Sequence, residues 1–335
     1  MFCIEINKEN IVKNAKYLRN YTSGLMCAVV KADAYGHGAV EVAKLLLEIV
    51  DCFAVATIEE AITLCNYGIK KDILLLGNSM ITSCLPSNVI CSVSSVAELE
   101  GIFGKCSRIH IKVKTGMNRS GCGVNDVSNI IERAKKLNIS VEGFFSHFYN
   151  SQNFFDVKNQ FSVFINSEQI DFSSNTIFHI CASNALDLPK MFHLDMIRWG
   201  IALYGFGSDN LSLCMNIYAD IAWIGNVKKG EHIGYGNFVA ETNMTICAVT
   251  MGYADGLRRN SKGITFRIND ISCAVVGNVC MDVALVDVSN VDCRVGDRAY
   301  LIKTKKDVEN ICDAYNIIPY EVLTLFLGRA KKVYV

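Results

Sequence analysis

Apolar and polar positions in the first two thirds of the chain follow two alternating textures. Short β-branched and apolar runs predict strands at Met26–Val30, Phe53–Ala56, Ile73–Leu76, Val89–Ser92, Ile109–Val113, Val141–Ser146, Thr176–Ile180 and Asp195–Arg198. Between them, apolar residues recur at helical spacing over Val40–Val50, Ile58–Tyr67, Val96–Gly101, Val127–Leu137 and Val157–Ile170. Strands interleaved with helices predict an α/β chain with a parallel sheet and crossovers. Eight such units close most economically into an N-terminal (β/α)8 barrel of the TIM type, over 8–216. A doubly wound open sheet is the alternative.

After Asn216 the texture changes. Ile217–Val227, Met244–Met251, Ile264–Ile268, Ser272–Val276, Ala284–Val288 and Arg298–Ile302 are short runs split by Gly, Asn and Asp. That spacing predicts a C-terminal, mostly antiparallel β domain over 217–335. Asp307–Tyr315 and Tyr320–Leu327 read as short helices. Phe2–Ile6 reads as a strand ahead of the barrel, which makes residues 1–7 candidates to pair with the second domain.

Composition narrows the partners. The 335 residues are 51% hydrophobic and 20% charged, the balance of a globular protein. With 33 Lys and Arg against 33 Asp and Glu, no broad field recruits nucleic acid or an anionic membrane. Glu48 and Asp51 interrupt the apolar stretch around Leu45–Ala56, so no bilayer span is expected. Early charges in the N-terminal stretch do not read as a secretory signal, and a cytoplasmic setting is the expectation. The 15 cysteines are scattered, with no Cys-x-x-Cys, and read as reduced, mostly buried thiols. No metal site is expected: the cysteines lack zinc spacing, and His37, His110, His179, His193 and His232 do not group.

The segment richest in chemistry is Ala28-Val-Val-Lys31-Ala-Asp-Ala-Tyr35-Gly-His-Gly38. A lysine directly ending an apolar strand carries a desolvation cost. It is either a strand-end ammonium reaching water or an amine held ready for Schiff-base chemistry at the C-terminal mouth of a barrel. Burial would lower its pKa and free that amine. Tyr35 could donate to a phosphate, with Gly36 and Gly38 letting the backbone turn closely beside it.

The run Val30-Lys31-Ala-Asp-Ala-Tyr35-Gly-His-Gly resembles the pyridoxal-phosphate motif of alanine racemases. The similarity continues in order through Lys112-Val-Lys-Thr-Gly-Met-Asn-Arg119, Ser146-His147-Phe148, Ala182-Ser183-Asn184-Ala185 and Ile197-Arg198-Trp-Gly200-Ile201-Ala-Leu-Tyr-Gly205. It then reaches Gly234-Tyr235-Gly236, Gly252-Tyr253-Ala-Asp-Gly256 and Val279-Cys-Met281-Asp282. The family fold is a barrel with a C-terminal β domain.

The resemblance implies a pyridoxal 5'-phosphate enzyme that racemises a small amino acid, most directly alanine, and supplies D-alanine for the cell wall. It implies Lys31 and Tyr235 as two bases on opposite faces of the substrate, with Lys31 also carrying the cofactor. Tyr35, Ser183 and the backbone N–H groups of Gly200 and Ile201 would hold the phosphate. Arg198 would face the pyridine nitrogen and His147 would link Arg198 to Tyr235. Arg119 would orient the cofactor oxygen and the substrate carboxylate, with Lys112 carried as a carbamate beside it. Tyr253 and the Met281 N–H would contact the substrate carboxylate, with Asp282 at the entrance. Tyr235, Tyr253 and Met281 would come from a partner subunit, so a homodimer with composite sites is implied. A serine racemase, a racemase of broader range, a noncatalytic cofactor carrier and a decarboxylase or epimerase of the same fold type are the alternatives.

The chain also departs from the family pattern. Lys114 stands where the family has Asp, Asn118 where it has Gly, Trp199 in the middle of the strand-eight triplet, and Gly328 where a tail tyrosine touches the phosphate. By strand parity, Lys114 is expected to share one face with Lys112.

Overall fold

The computed structural model describes residues 2–77, 81–167, 170–171 and 175–335. The chain divides into two compact units. One comprises Glu9–Ala34 and Gly38–Ser212; the other comprises the segment through Lys8, Tyr35–His37 and Leu213–Val335.

The first strand, β1 (Phe2–Ile6), belongs to the second of these units. The larger unit is a barrel of eight parallel strands: β2 (Leu25–Val29), β3 (Cys52–Val55), β4 (Ile73–Leu75), β5 (Val89–Val93), β6 (Arg108–Lys112), β7 (Ser140–Phe145), β8 (Ile177–His179) and β9 (Met196–Trp199). Neighbours pair in sequence order, and β9 returns to β2 with Cys27 opposite Arg198. Between β8 and β9 the closure uses isolated bonds, from the Asp195 N–H to the Phe178 carbonyl at 3.0 Å and from the Arg198 N–H to the Cys181 carbonyl at 3.2 Å. All eight strands lie within a residue or two of the positions read from the hydrophobic runs. The open-sheet alternative is excluded by the β2–β9 ladder.

Local sequence explains the helix starts. Thr57 and Glu60 form a reciprocal capping box ahead of Ile58–Asn66, and the Ser95 hydroxyl accepts from the Glu98 N–H at the start of Val96–Ile102. Asn153 caps Phe154–Ile165, three residues earlier than the periodicity suggests. That helix was expected to run to Ile170, a stretch that includes residues 168 and 169, outside the described positions. The hydrophobic runs miss the helix Lys8–Tyr21. Its buried face is Ile11, Asn14, Ala15 and Leu18, and the polar Asn14 breaks the stripe. The Asn14 amide is nevertheless satisfied, donating to the carbonyls of Leu203 at 3.0 Å and Ser212 at 2.7 Å.

The other unit holds an eight-stranded, mostly antiparallel sheet. Its later strands are β10 (Met215–Val227), β11 (Met244–Val249), β12 (Thr265–Ile268), β13 (Ile271–Ala274), β14 (Ala284–Asp287), β15 (Arg298–Ile302) and β16 (Lys331–Tyr334). The long β10 pairs with β1 and β15 through its first half and with β11 through its second. β1 also pairs with β16 in parallel. The short, charged run Lys331–Tyr334 gives no apolar signal, which is why β16 is invisible to periodicity. Thr304 and Asp307 cap the helix Lys305–Tyr315, and Pro319 opens Pro319–Leu325.

All fifteen cysteines are free thiols and nine are buried. No described helix is long and apolar enough to cross a membrane.

Candidate active site

The C-terminal rim of the barrel gathers the charged residues that the motifs single out. Lys31 directly follows β2 and Val30, whose N–H bonds the Ala54 carbonyl at 2.9 Å. Its pKa is lowered by burial first and by the Arg119 charge next, with Glu60 opposing. Lys31 is half-buried, so its amine keeps some access to water at the rim. The backbone then turns left-handed: Ala32, Asp33, Ala34 and Tyr35 have φ of 51°, 52°, 55° and 52°. Such a run of L-residues costs roughly 1–2 kcal/mol each, and polar contacts offset the cost. Glu60 accepts the Ala32 N–H at 2.6 Å, Asp33 accepts the Ala39 N–H at 2.8 Å, and the Ala34 N–H reaches the Val30 carbonyl at 2.8 Å.

Lys112 ends β6 on the same rim. Its ammonium donates to the Ser120 hydroxyl at 2.6 Å and lies 5.6 Å from the Phe145 ring centre. Burial, then Arg119, Arg198 and Lys31, bring its pKa down to about 8. Lys114 does not crowd it. The strand stops at Lys112, so parity fails beyond it, and Lys114 is exposed whereas Lys112 is buried. Asn118 has φ 55°, a conformation that asparagine adopts more readily than most residues, so replacement of the family glycine fits the backbone. Arg119 is exposed on this segment.

Arg198, on β9, is buried, with both terminal nitrogens engaged. One terminal nitrogen donates to the carbonyls of Ser146 at 2.8 Å and Ile180 at 3.1 Å and to His147 Nδ1 at 3.2 Å. The other donates to His179 Nδ1. Burial lowers its pKa to about 10, which leaves it cationic at neutral pH. A guanidinium has no acceptor, so it fixes the tautomers around it. His147 accepts at Nδ1 and keeps its proton on Nε2. His179 likewise carries its proton on Nε2 and donates it to His110 Nδ1 at 2.8 Å. Burial and then the Arg198 charge push His147 and His110 down to about 3 and His179 well below its ordinary value.

Ser183, after β8, accepts the backbone N–H groups of Gly200 at 3.0 Å and Ala202 at 3.1 Å. With both amides spent on its oxygen, the Ser183 hydroxyl keeps its own proton to donate, and in a cation-rich mouth that suits a phosphate. The Arg119 charge disfavours protonation of Lys31, Lys112 and Arg198, and the carboxylates that oppose this are Glu60 at Lys31 and Glu98 at Lys112. An excess of positive charge, an amine at the end of the first barrel strand and a hydroxyl proton on Ser183 fit an anionic aldehyde cofactor such as pyridoxal phosphate.

The second unit holds the remaining sequence-predicted residues. Tyr35 is buried, its ring 6.0 Å from that of Tyr320, and burial pushes its hydroxyl pKa up. Gly36 serves packing: a Cβ there would stand 2.5 Å from the Leu323 carbonyl. Tyr235, Tyr253 and Met281 are 67%, 42% and 54% exposed. Gly234 and Gly236 flank Tyr235 at φ 64° and 92°, and the Tyr235 carbonyl accepts from Asn278 Nδ2 at 2.8 Å. The Tyr253 and Ala254 N–H groups bond the Cys280 and Met281 carbonyls, each at 3.0 Å.

His110 and His179, weighed in the sequence only as metal ligands, instead form a buried pair, and Glu60, Ser120 and Gln160 carry no motif at all. Gln160 donates to the His147 carbonyl at 3.0 Å and to the Thr115 hydroxyl at 3.1 Å. The two histidines did leave a signal. Each interrupts an apolar strand, as Ile109-His110-Ile111 and Phe178-His179-Ile180, where a polar ring needs a buried partner. Among the described residues, no group of three or more His, Cys, Asp or Glu side chains could hold a metal ion.

A barrel with this rim defines an enzyme class built around an amine and an anion cradle. Residues 6–208 match the family model for the alanine racemase N-terminal domain, and 214–334 match that for the alanine racemase C-terminal domain. The chain therefore belongs to the alanine racemase family of amino-acid isomerases. The alanine racemase of Thermodesulfovibrio yellowstonii is 34% identical over 352 residues, covering 99% of this chain and 97% of that protein. The alanine racemase of Clostridium tetani is 34% identical over 366 residues, covering 99% and 94%. Among solved structures, alanine racemase from Clostridium difficile 630 superposes with TM-score 0.91 at 33% identity, covering 100% of this chain and 95% of its own. Alanine racemase from Bartonella henselae with covalently bound pyridoxal phosphate superposes with TM-score 0.88 at 26% identity, covering 100% and 99%.

Proposed function

We propose that this protein interconverts L- and D-alanine with pyridoxal phosphate, using Lys31 and Tyr235 as its two bases. The observation that carries this reading is Lys31 itself: an amine at the C-terminal end of the first barrel strand, its pKa lowered by burial among cations. Bound there, pyridoxal phosphate supplies the electron sink that lets the α-proton leave. Lys31 Nζ would hold the cofactor and, once the substrate amino group displaces it from that bond, would accept the α-proton of the D-enantiomer, or donate a proton to the same face when L-alanine is the substrate. The Ser183 hydroxyl and the Ile201 N–H take the phosphate, and the Gly200 N–H joins them by exchanging its bond to Ser183 Oγ for one to a phosphate oxygen. Arg119 orients the substrate carboxylate.

The opposite face requires a second base, and we assign it to the Tyr235 hydroxyl of a second copy in a homodimer. A phenol with pKa near ~10 is a weak base at neutral pH unless its anion is stabilised. The Nε2–H of His147, fixed by the Arg198 contact, is a donor able to do this. Arg198 keeps its proton, which favours return of the substrate proton to Cα over side reactions. Tyr253 and the Met281 N–H bind the substrate carboxylate from the same second copy. Lys112, with pKa about 8, has enough free amine to take up carbon dioxide as a carbamate, releasing a proton and placing an anion beside Arg119. A cytoplasmic supply of D-alanine for the cell wall is the physiological part of this reading.

Racemisation assays on alanine, serine and lysine, with and without added pyridoxal phosphate, test the proposal. Cofactor-dependent inversion of alanine is expected. Faster inversion of serine would reassign the substrate, and no inversion of any of the three would overturn the reading.

A further inference from the structure

The two turns that carry Tyr253 and Met281 are fastened together by a side chain from the C-terminal tail. Arg329 Nε donates to Asp255 Oδ1 at 2.9 Å, and its Nη1 donates to Asp282 Oδ1 at 2.8 Å. Asp255 sits in the Tyr253–Asp255 turn and is 4% exposed, and its other oxygen accepts the Gly252 N–H at 2.9 Å. Asp282 directly follows Met281. The turns already touch along their backbones, since a Cβ on Gly252 would stand 2.2 Å from the Met281 carbonyl oxygen. Two backbone hydrogen bonds, from the Tyr253 N–H to the Cys280 carbonyl and from the Ala254 N–H to the Met281 carbonyl, join the turns along one line, and a side-chain tie adds restraint outside that line. A planar guanidinium bonded to one carboxylate on each turn resists that motion in two directions.

We propose that Arg329 is a positioning residue that holds the Tyr253 and Met281 turns in fixed register as one carboxylate-recognition unit. This rests on the reading above, in which both residues bind the substrate carboxylate. Arg329 touches neither substrate nor cofactor in this account.

The test compares Arg329→Ala, Arg329→Lys and Tyr253→Phe as cofactor-loaded enzymes. Arg329→Ala should raise KM for L- and D-alanine about tenfold, with kcat within about twofold and the visible absorbance of the cofactor unchanged. Arg329→Lys should recover part of the loss, because an ammonium can hold one carboxylate but cannot fork to both. A purely structural role would lower Tm and active fraction without this split between KM and kcat. If Arg329→Ala does not fold, Asp282→Asn, which breaks one arm at an exposed site, should still raise KM several-fold. Tyr253→Phe separates the two levels of the argument. If it raises KM while the Arg329 and Asp282 variants do not, the clamp is wrong and the substrate reading stands. If it leaves KM unchanged, the substrate role of Tyr253 fails, and the clamp proposal fails with it.

Discussion

The barrel rim and the exposed face of the β unit solve opposite problems. At the rim, Arg198, His110 and His179 are buried and His147 is half-buried, in a network whose proton positions are set by one guanidinium. In the β unit, Tyr235, Tyr253 and Met281 stand open to solvent on turns held by backbone bonds and by Arg329. Burial tunes protonation, so the rim can keep neutral imidazoles beside a cation. Exposure leaves a side chain available to a second molecule. A two-base reaction with one base from each kind of region needs both properties.

Replacing Lys31 should break this comparison most severely. Lys31→Ala is expected to lose racemisation on the order of 10^4-fold or more, at the upper end for a general base, and also to lose the visible absorbance of bound cofactor. Absorption spectra and assays of the purified protein check both. Retained absorbance would mean that another amine holds the cofactor.

Stability should separate the regions next. Gly143 leaves room for the His110 ring; a Cβ there would lie 2.8 Å from His110 Cε1 and 2.6 Å from the Ile177 carbonyl oxygen. Gly143→Ala should therefore cost roughly 1–3 kcal/mol of unfolding free energy. Tyr235→Ala, at an exposed turn, should stay within about 0.5 kcal/mol in the isolated chain. Denaturant titrations of both variants below the dimer concentration range decide this, and equal losses would erase the distinction.

Acid sharpens it further. His110 and His147 have folded pKa values near 3 against an ordinary 6.5. Above pH 6.5 they are neutral in both states and their contribution is fully present. As pH falls toward 3, the unfolded chain takes up protons that the fold refuses, and stability declines. The slope is at most about 1.4 kcal/mol per pH unit for each histidine. Unfolding curves of His110→Asn should fall less steeply than wild type between pH 6 and 4. A parallel decline would mean that His110 is not buried neutral.

The smallest effect is expected at Ser183. Removing the acceptor of two backbone N–H groups in Ser183→Ala should weaken cofactor binding by about 1 kcal/mol, or some fivefold. Cofactor titration followed by absorbance measures it.

The barrel was legible because each strand is an apolar run bounded by turn signals. Lys8–Tyr21 and β16 were not, because one buries Asn14 and the other is held by pairing rather than apolar side chains. At the site, Lys31 announced itself by ending an apolar strand, whereas Tyr235 and Met281 had meaning only within an ordered series of motifs. His110, His179 and Arg329 act through partners distant in sequence, and such contacts leave no local spacing to read. Lys114 misled for the converse reason: strand parity was extended past the point where β6 ends.

Two-base inversion is tested most directly by proton exchange in deuterated water with the Tyr235→Phe enzyme. Wild type should take up deuterium at Cα from both L- and D-alanine, with inversion. The variant should keep its bound cofactor and exchange D-alanine, while exchange from L-alanine falls by 10²-fold or more. Equal exchange from both enantiomers in that variant would contradict the account.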